Sequence, residues 1–189
     1  MCSLGREGQD LASWLIGHGA DVTMCDTRSD AQLAAASAEA PPEVRWVMTG
    51  QPLPDPEGFD LIGVSQSVLA TDAVVSRARA LGIPVISPMQ LFLRVCPTPI
   101  IGITGSNGKS TTTVLVGEMA RQQGVPHVVA GNIGAPVLGL LGHLQPETTV
   151  ILEINHTRCS TPTSRRRWPQ SPTSALTTST SSTGTPTSP

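Results

Sequence analysis

The chain has 189 residues, a formal net charge of −2 and 39% hydrophobic residues, which suits one or two folded domains. This weak negative charge gives no electrostatic case for nucleic acid, and the four scattered cysteines form no CxxC pair that would indicate a zinc site or a disulfide framework. The sequence has neither an apolar run long enough for a membrane span nor a signal-peptide pattern, so we expect a cytoplasmic protein without a membrane partner.

The first half of the chain alternates between helical and strand patterns. Leu11, Trp14 and Leu15 share one face of the first predicted helix, and glycines end it. A later helix is predicted to use Thr71 as its N-cap. The predicted elements are, in chain order, helix 7–17, strand 21–25, helix 30–38, strands 44–47 and 61–64, helix 71–81, strand 84–86 and helix 89–95.

The second half continues the alternation after a short linker. Two prolines within residues 96–99 interrupt both periodicities, so we expect a domain boundary there. Strands that alternate with helices favour parallel sheets covered on both faces, which is an α/β fold. The predicted elements are strand 100–103, helix 110–123, strand 125–129, helix 135–144 and strand 149–152.

The composition changes after Ile154. Of the 35 residues 155–189, 23 are Thr, Ser or Pro, and few are apolar. Such a segment buries too little surface to offset the entropy of ordering it, so we predict a disordered tail. A frameshift in the underlying gene is an alternative origin for this composition.

The N-terminus carries a weak dinucleotide-type motif. The run SLGREG (3–8) is a degraded GxGxxG, and Asp26 closes the following strand at the distance of a ribose-binding acid. The alternative is an ordinary βα turn followed by a strand end. Only four residues precede Gly5, so the first strand of a Rossmann-like unit is truncated, and its neighbours lose a hydrogen-bonding partner.

Lys109 is the only lysine of the chain, and it lies in the glycine-rich run GITGSNGKST (102–111) between a predicted strand and helix. Glycines allow backbone N–H groups to converge on phosphate oxygens, and the helix N-terminus adds partial positive charge. The lysine reaches the β- and γ-phosphates, and the Ser110 hydroxyl can ligate Mg²⁺. The alternative is a glycine-rich turn with an exposed lysine. We predict a nucleoside-triphosphate site, with Lys109 as its cation, formed by Gly105, Ser106, Asn107, Gly108, Lys109, Ser110 and Thr111.

Polar residues also follow other predicted strands, at the edge where ligands collect in open α/β sheets. Glu153 ends a strand beside the phosphate loop, where a carboxylate can hold Mg²⁺ directly or through water. Its alternative is a solvated strand end. The run GNIG (131–134) also reads as a tight turn, since Asn and Gly tolerate positive φ. Ser65 closes a further strand.

Together these residues resemble the Mur ligase family. The run GSNGKSTTT (105–113) is similar to the family's phosphate loop, G-T/S-N-G-K-T/S-T-T, and Ile103 replaces the first glycine of the general GxxxxGK pattern. The runs GREG (5–8), DTR (26–28) and GNIG (131–134) resemble the members that add D-glutamate to UDP-N-acetylmuramoyl-L-alanine. The resemblance covers residues 1–154.

The resemblance implies a domain organisation and an activity. It implies a Rossmann-like UDP-substrate-binding domain over 1–96, a partial ATP-binding domain over 97–154, and an unrelated tail over 155–189. The implied enzyme is a monomeric ATP-dependent ligase that joins D-glutamate to UDP-N-acetylmuramoyl-L-alanine through an acyl phosphate, with ATP and Mg²⁺ as cofactors. Ser110 and Glu153 would hold the metal. The implied UDP-substrate contacts are Leu4, Gly5, Arg6, Asp26, Thr27, Arg28, Ser65 and Asn132.

The resemblance stops at Glu153 and Ile154. The family continues with LELSSFQLE, whereas this chain reads NHTRC from residue 155, and no second lysine is present to serve the chemistry. We therefore expect a truncated or frameshifted, inactive product; translation of the other reading frames tests the frameshift. One alternative is a catalytically inactive nucleotide-binding module. Another is an NAD-linked dehydrogenase, which leaves the Lys109 loop unexplained.

Overall fold

The computed structural model describes residues 5–26, 42–48, 53–65, 72–132, 136–154 and 175–178. Helices and strands alternate along these residues, so the predicted α/β class is confirmed. The elements are α1 (Arg6–Gly17), β1 (Thr23–Asp26), β2 (Arg45–Met48), β3 (Ile62–Gly63), α2 (Ala73–Ala80), β4 (Val85–Ile86), α3 (Pro88–Val95), β5 (Ile100–Ile103), α4 (Lys109–Gln122), β6 (His127–Gly131), a 3-10 helix (Gly139–His143), β7 (Thr149–Glu153) and β8 (Ala175–Thr178).

The chain divides into two compact units. The first contains Met1–Val95 and, from much later in the sequence, Pro136–His143. The second contains Cys96–Ala135 and Leu144–Pro189. The segment Pro136–His143 is therefore an excursion of the chain into the first unit, which the contiguous domains predicted from the sequence do not include.

The first unit contains two separate two-stranded sheets, both parallel. β1 pairs with β2, and β3 pairs with β4. Leu11 and Ala12 are buried because they lie on the apolar face of α1. Met24 of β1 and Ile62 of β3 are also fully buried.

The second unit is built on a four-stranded parallel sheet with the order β6-β7-β5-β8. Its central strands are short and apolar, and Val150, Ile151 and Leu152 of β7 are fully buried, as expected for a parallel strand covered on both faces. α4 packs on this sheet closely, since a Cβ on Gly117 would lie 2.7 Å from Val129 Cγ2. The sheet brings the ends of β5, β6 and β7 together.

Several local predictions differ from the structure. The N-cap of α2 is Asp72, whose carboxylate accepts a hydrogen bond from Val74 N at 3.0 Å, rather than Thr71. The predicted helix 135–144 is replaced by the 3-10 helix Gly139–His143, because two glycines within it disfavour a longer helix. The predicted linker 96–99 has no helix or strand and begins where the two units divide, although Cys96 and Thr98 are buried. The predicted helix 30–38 lies outside the described residues.

The tail also contains one difference. Disorder is predicted for all of 155–189, but Ala175–Thr178 forms β8 and pairs in parallel with β5. These four residues include two β-branched threonines, and the backbone of a strand edge readily accepts such a segment. The other tail residues lie outside the described part of the chain. Among the helices described, none has the length and apolarity needed to cross a membrane.

Candidate functional site

The predicted phosphate loop is a tight connection between a strand and a helix. β5 ends at Ile103 and α4 begins at Lys109, so the loop consists of residues 104–108. Gly108 ends the loop with φ 74°, a left-handed conformation that residues with a Cβ adopt only with strain. Ser106, Asn107 and Gly108 are exposed, so the outer surface of the loop is accessible to a ligand.

Lys109 and the start of α4 form the positive part of this site. The lysine Nζ donates to the carbonyl oxygen of Gly105 at 2.9 Å, so the side chain folds back over the loop. The N-cap, Gly108, offers no side-chain acceptor to the first-turn amides, which include those of the exposed Ser110 and Thr111. An anion at this point can meet both amide N–H groups and the ammonium, which is the arrangement that phosphate oxygens favour.

A buried carboxylate lies at the end of the neighbouring strand. The strand register pairs Glu153 with Ile103, the last residue before the phosphate loop, and with Gly131 at the end of β6. The Glu153 residue is 1% exposed. Its Oε1 accepts a hydrogen bond from Asn132 Nδ2 at 3.5 Å, whereas its Oε2 has no hydrogen-bond partner within the described residues.

This open carboxylate oxygen fits a divalent cation. A buried carboxylate oxygen without a donor is unfavourable unless a cation or a water molecule reaches it. Mg²⁺ prefers oxygen ligands and commonly combines one or two protein groups with phosphate oxygens and water. No group of three or more His, Cys, Asp or Glu side chains comes together in the described ranges. Within the described residues, the Glu153 carboxylate therefore suits a cation that takes its other ligands from phosphate and water, and the other predicted metal ligand, Ser110, is exposed at the start of α4.

Gly131 allows β6 to approach Glu153 closely. Its φ is 108°, and a Cβ at this position would clash with the carbonyl oxygen of Glu153. The next residue, Asn132, donates its backbone N–H to that same oxygen at 3.2 Å. Only glycine fits here, so the GNIG run is more than an exposed turn: its first glycine places Asn132 beside the Glu153 carboxylate.

Among the described residues, four of the predicted UDP-substrate contacts lie in the first unit. Gly5 is the N-cap of α1 and Arg6 its first residue; both are exposed, and glycine has no side chain with which to cap the helix. Asp26 is the last residue of β1, and Ser65 lies two residues after β3; both are buried, at 7% and 9% exposure.

The charge at the start of α1 is mixed. The partial positive charge of a helix N-terminus suits an anion, but the acidic Glu7 in the first turn disfavours one by charge repulsion. Of the remaining predicted contacts, Asn132 lies in the second unit, and Leu4, Thr27 and Arg28 lie outside the described residues. The structure thus brings Asn132 and Glu153 together at the ends of β6 and β7, and Lys109 begins the helix that follows β5, the neighbouring strand of the same sheet.

Sequence reasoning missed Asp10. Both of its carboxylate oxygens accept backbone hydrogen bonds, from Leu138 N and Gly139 N, each at 2.8 Å. Burial raises the pKa of Asp10 above its ordinary value of 3.8, and the two backbone hydrogen bonds oppose that shift. No local pattern could reveal this residue, because its partners are 128 and 129 positions away in the chain.

Comparison with known proteins identifies relatives by sequence. No protein-family model matches the chain. The UDP-N-acetylmuramoylalanine–D-glutamate ligase of Psychrobacter cryohalolentis is 36% identical over 148 residues, which is 78% of this chain and 31% of that protein. The ligase of the same name from Thiobacillus denitrificans is 36% identical over 157 residues, which is 75% of this chain and 33% of that protein.

A solved structure is also similar, although less so. The UDP-N-acetylmuramate:L-alanyl-gamma-D-glutamyl-meso-diaminopimelate ligase from Neisseria meningitides is 20% identical, with a TM-score of 0.43, over 80% of this chain and 50% of that chain. The chain spans about a third of the length of the curated relatives it matches. On the strength of the sequence matches, the chain belongs to the Mur ligase family.

Proposed function

We propose that the chain carries the ATP-binding and UDP-substrate-binding parts of a ligase that joins D-glutamate to UDP-N-acetylmuramoyl-L-alanine in peptidoglycan precursor synthesis. The observation that carries this proposal is the pairing of β5, the strand that leads into the Lys109 loop, with β7, which ends at buried Glu153; the Oε2 of Glu153 has no hydrogen-bond partner within the described residues. The names of the relatives supply the substrates. As expected from the sequence, we propose that the ligase is a cytoplasmic monomer without a nucleic-acid or membrane partner.

Residues of the second unit would bind the nucleotide. The exposed loop residues and the first-turn amides of α4 suit the phosphates, and Lys109 would exchange its bond to the Gly105 carbonyl for one to a phosphate oxygen. Ser110 and Glu153 would hold Mg²⁺, which supplies charge stabilisation to the transferring phosphoryl group.

The proposed reaction has two steps. A carboxylate oxygen of the UDP-linked substrate forms a bond to the γ-phosphorus of ATP as the bond to the bridging oxygen breaks, giving an acyl phosphate and ADP. The amine of D-glutamate then bonds to the acyl carbon, phosphate leaves, and the nitrogen loses a proton. Negative charge builds on phosphoryl oxygens in both steps, and Lys109, the first residue of α4, would stabilise it.

Residues of the first unit would bind the uridine part of the substrate. Asp26 and Ser65 lie at or just after strand ends, the edge where open α/β sheets bind ligands, and Gly5 and Arg6 offer an uncapped helix end to the diphosphate. Thr27, Arg28 and Leu4 adjoin these residues in the sequence and belong to the same proposed contact set. Asn132 would face the sugar-peptide portion.

Calorimetric titration of the full chain with a non-hydrolysable ATP analogue and Mg²⁺ tests the nucleotide site. Lys109→Met removes the ammonium and is expected to weaken binding about tenfold or more, the loss typical of a charge-assisted contact to phosphate. Arg121→Met is the matched control, because it removes a cation from the other end of the same helix. Equal affinity in the wild type and Lys109→Met would contradict the proposed role, provided that circular dichroism shows both to be folded.

A second titration, with UDP-N-acetylmuramoyl-L-alanine, tests the substrate side. Glu7→Gln is expected to tighten this binding about threefold, because it removes a negative charge from the helix end offered to the diphosphate. A phosphate-release assay with both substrates and D-glutamate then tests the ligase chemistry. Binding of both ligands without release of phosphate supports the alternative, a catalytically inactive nucleotide-binding module.

A further inference from the structure

Asp10 holds a distant segment of the chain against α1. Its Oδ2 accepts the backbone N–H of Leu138 and its Oδ1 that of Gly139, each at 2.8 Å. The contact is close, since a Cβ on Gly139 would lie 3.3 Å from Asp10 Oδ1. One side chain therefore satisfies two consecutive amides at the start of the 3-10 helix.

The segment that Asp10 holds is packed into the first unit. Val137 is 6% exposed and Leu138 1% exposed, and Leu11 and Ala12, which follow Asp10 in α1, are equally buried. Within the segment, Leu140 N and Leu141 N donate to Val137 O and Leu138 O, as in any 3-10 turn. The amides of Leu138 and Gly139 precede those bonds, so an acceptor from outside the turn must satisfy them.

A carboxylate is an unfavourable group to use for this purpose. Partial burial raises the pKa of Asp10, so the surroundings disfavour the ionised form that accepts both hydrogen bonds best. A serine or asparagine could cap such a turn without a buried charge. The charged group does, however, make stronger hydrogen bonds and fixes both amides at once, which suits a segment whose position must be kept.

The helix that carries Asp10 connects this segment with the proposed substrate site. Asp10 lies one helical turn after Gly5 and Arg6, the helix end proposed for the diphosphate. The carboxylate thus joins Pro136–His143, which belongs to the same unit, to the helix that begins at this proposed contact.

We propose that Asp10 is a positioning residue for the UDP-substrate: by accepting the backbone N–H groups of Leu138 and Gly139, it anchors Pro136–His143 to α1 and so fixes the helix that begins at the proposed diphosphate contacts Gly5 and Arg6. This inference depends on the proposed function for its ligand. It predicts that the loss of Asp10 weakens UDP-substrate binding and leaves nucleotide binding unchanged.

Amide hydrogen exchange of the full chain tests the anchor itself. In Asp10→Ala, the amides of Leu138 and Gly139 are expected to exchange about tenfold faster, because each loses a charge-assisted acceptor. Asp10→Asn keeps one oxygen acceptor and should give an intermediate rate. Asp60→Asn, which changes an exposed aspartate of the same unit, should leave both rates unchanged. Unchanged exchange at both amides in Asp10→Ala overturns the anchor.

Titrations with two ligands test the positioning role. Asp10→Ala should weaken the binding of UDP-N-acetylmuramoyl-L-alanine about tenfold, and Asp10→Asn should recover part of that loss, while the affinity for the Mg²⁺-bound ATP analogue stays within about twofold. Equal weakening of both ligands would mean general destabilisation and overturns the role. Faster exchange with unchanged substrate affinity also overturns it.

The two proposals fail in different ways. A wild-type chain that binds the ATP analogue but not UDP-N-acetylmuramoyl-L-alanine refutes the substrate part of the proposed function, and the positioning role with it. The exchange rates of Leu138 and Gly139 still decide in that case whether Asp10 anchors the segment. Thermal melts of each variant show whether a change in affinity accompanies a loss of fold.

Discussion

The carboxylate of Asp10 is partly buried and that of Glu153 is fully buried, and the two differ in their hydrogen-bond partners. Each carboxylate oxygen of Asp10 accepts a hydrogen bond from a backbone N–H. In Glu153, one oxygen accepts a long hydrogen bond and the other has no partner among the described residues. A carboxylate whose acceptors are filled by the chain holds structure in place. A buried carboxylate with an open oxygen is suited to a cation that arrives with a ligand.

The difference follows from where each residue lies. Glu153 ends a strand that is paired on both sides, so its backbone is fixed and its side chain is not needed to hold the sheet. Asp10 lies on a helix surface against a segment whose first amides have no partner within the turn itself. Asp10 therefore suits a structural role and Glu153 a role in binding a cation, and substitution can test each role.

Gly131→Ala is expected to have the largest effect. The added Cβ would clash with the Glu153 backbone, and φ of 108° is strained for alanine, so we expect a loss of about 3 kcal/mol in the free energy of unfolding. Urea denaturation measures this loss. The substitution separates β6 from the Glu153 corner, and it should leave the hydrogen exchange of the amides bonded to Asp10 unchanged.

Gly142→Ala is the control for this prediction. A Cβ on Gly142 would meet nothing within 4 Å, and its φ is not positive, so stability should change by less than about 0.5 kcal/mol. If Gly131→Ala were as stable as Gly142→Ala, the close approach of β6 to Glu153 would be wrong.

Glu153→Gln should affect binding more than stability. The amide keeps the size of the side chain but loses the charge that would hold Mg²⁺, so the gain in ATP-analogue affinity on adding Mg²⁺ should fall about tenfold or more. The free energy of unfolding without metal should change by no more than about 1 kcal/mol, since Oε2 has no hydrogen bond to lose. Calorimetry with and without Mg²⁺ gives the first quantity and urea denaturation the second.

Glu147→Gln is the matched control, because Glu147 is an exposed glutamate of the same unit. Its Mg²⁺ dependence should equal that of the wild type. A Glu153→Gln variant that retained the full effect of Mg²⁺ would remove Glu153 from the proposed metal site and would end the contrast with Asp10.

Asp10 should give the protein a pH dependence of known sign. Burial raises its folded pKa above the ordinary 3.8, so its contribution to stability is complete below that value and is lost as pH rises through the folded pKa. The free energy of unfolding of the wild type, relative to Asp10→Asn, should therefore fall as pH rises from below 3.8 towards neutrality. Urea denaturation over this range measures it. A relative stability that rose with pH would show that the two backbone hydrogen bonds outweigh burial.

The sequence predicts most of the fold because its elements are local. Apolar positions repeat with helical or strand period within each segment, and the alternation leads directly to parallel sheets. The differences arise where a distant group decides the local structure. The stretch predicted as helix 135–144 is a 3-10 helix whose first amides are satisfied by Asp10, and Ala175–Thr178 becomes a strand because β5 offers an edge.

The candidate site is predictable for a similar reason. The loop before α4 and its lysine are contiguous, so a run of ten residues contains the whole motif, and Glu153 is found as a strand end. The open oxygen of Glu153 and the need for Gly131 depend on the register between β6 and β7, which no single segment encodes. Asp10 depends on a contact across more than a hundred residues, so only the folded chain reveals it.

Glu118 is the exposed counterpart of both carboxylates, and its substitution should have the smallest effect. Hydrogen bonds from Arg121 and Gln122 lower its pKa to about 2. Its contribution to stability is therefore present above the ordinary value of 4.5 and is lost as pH falls towards about 2, which is the opposite direction to Asp10. Because solvent and salt screen an exposed pair, Glu118→Gln should lower the melting temperature by no more than about 2 °C.

Melting curves in low salt and in about 1 M salt check this, since the small difference between Glu118→Gln and the wild type should disappear at high salt. Glu147→Gln, an exposed glutamate outside this cluster, is the control. A large, salt-independent drop for Glu118→Gln would mean that exposure does not rank these carboxylates. The effects of substituting the three carboxylates on stability would then follow the number of hydrogen bonds that each one makes. In that case the unpartnered oxygen of Glu153 would no longer indicate a functional site.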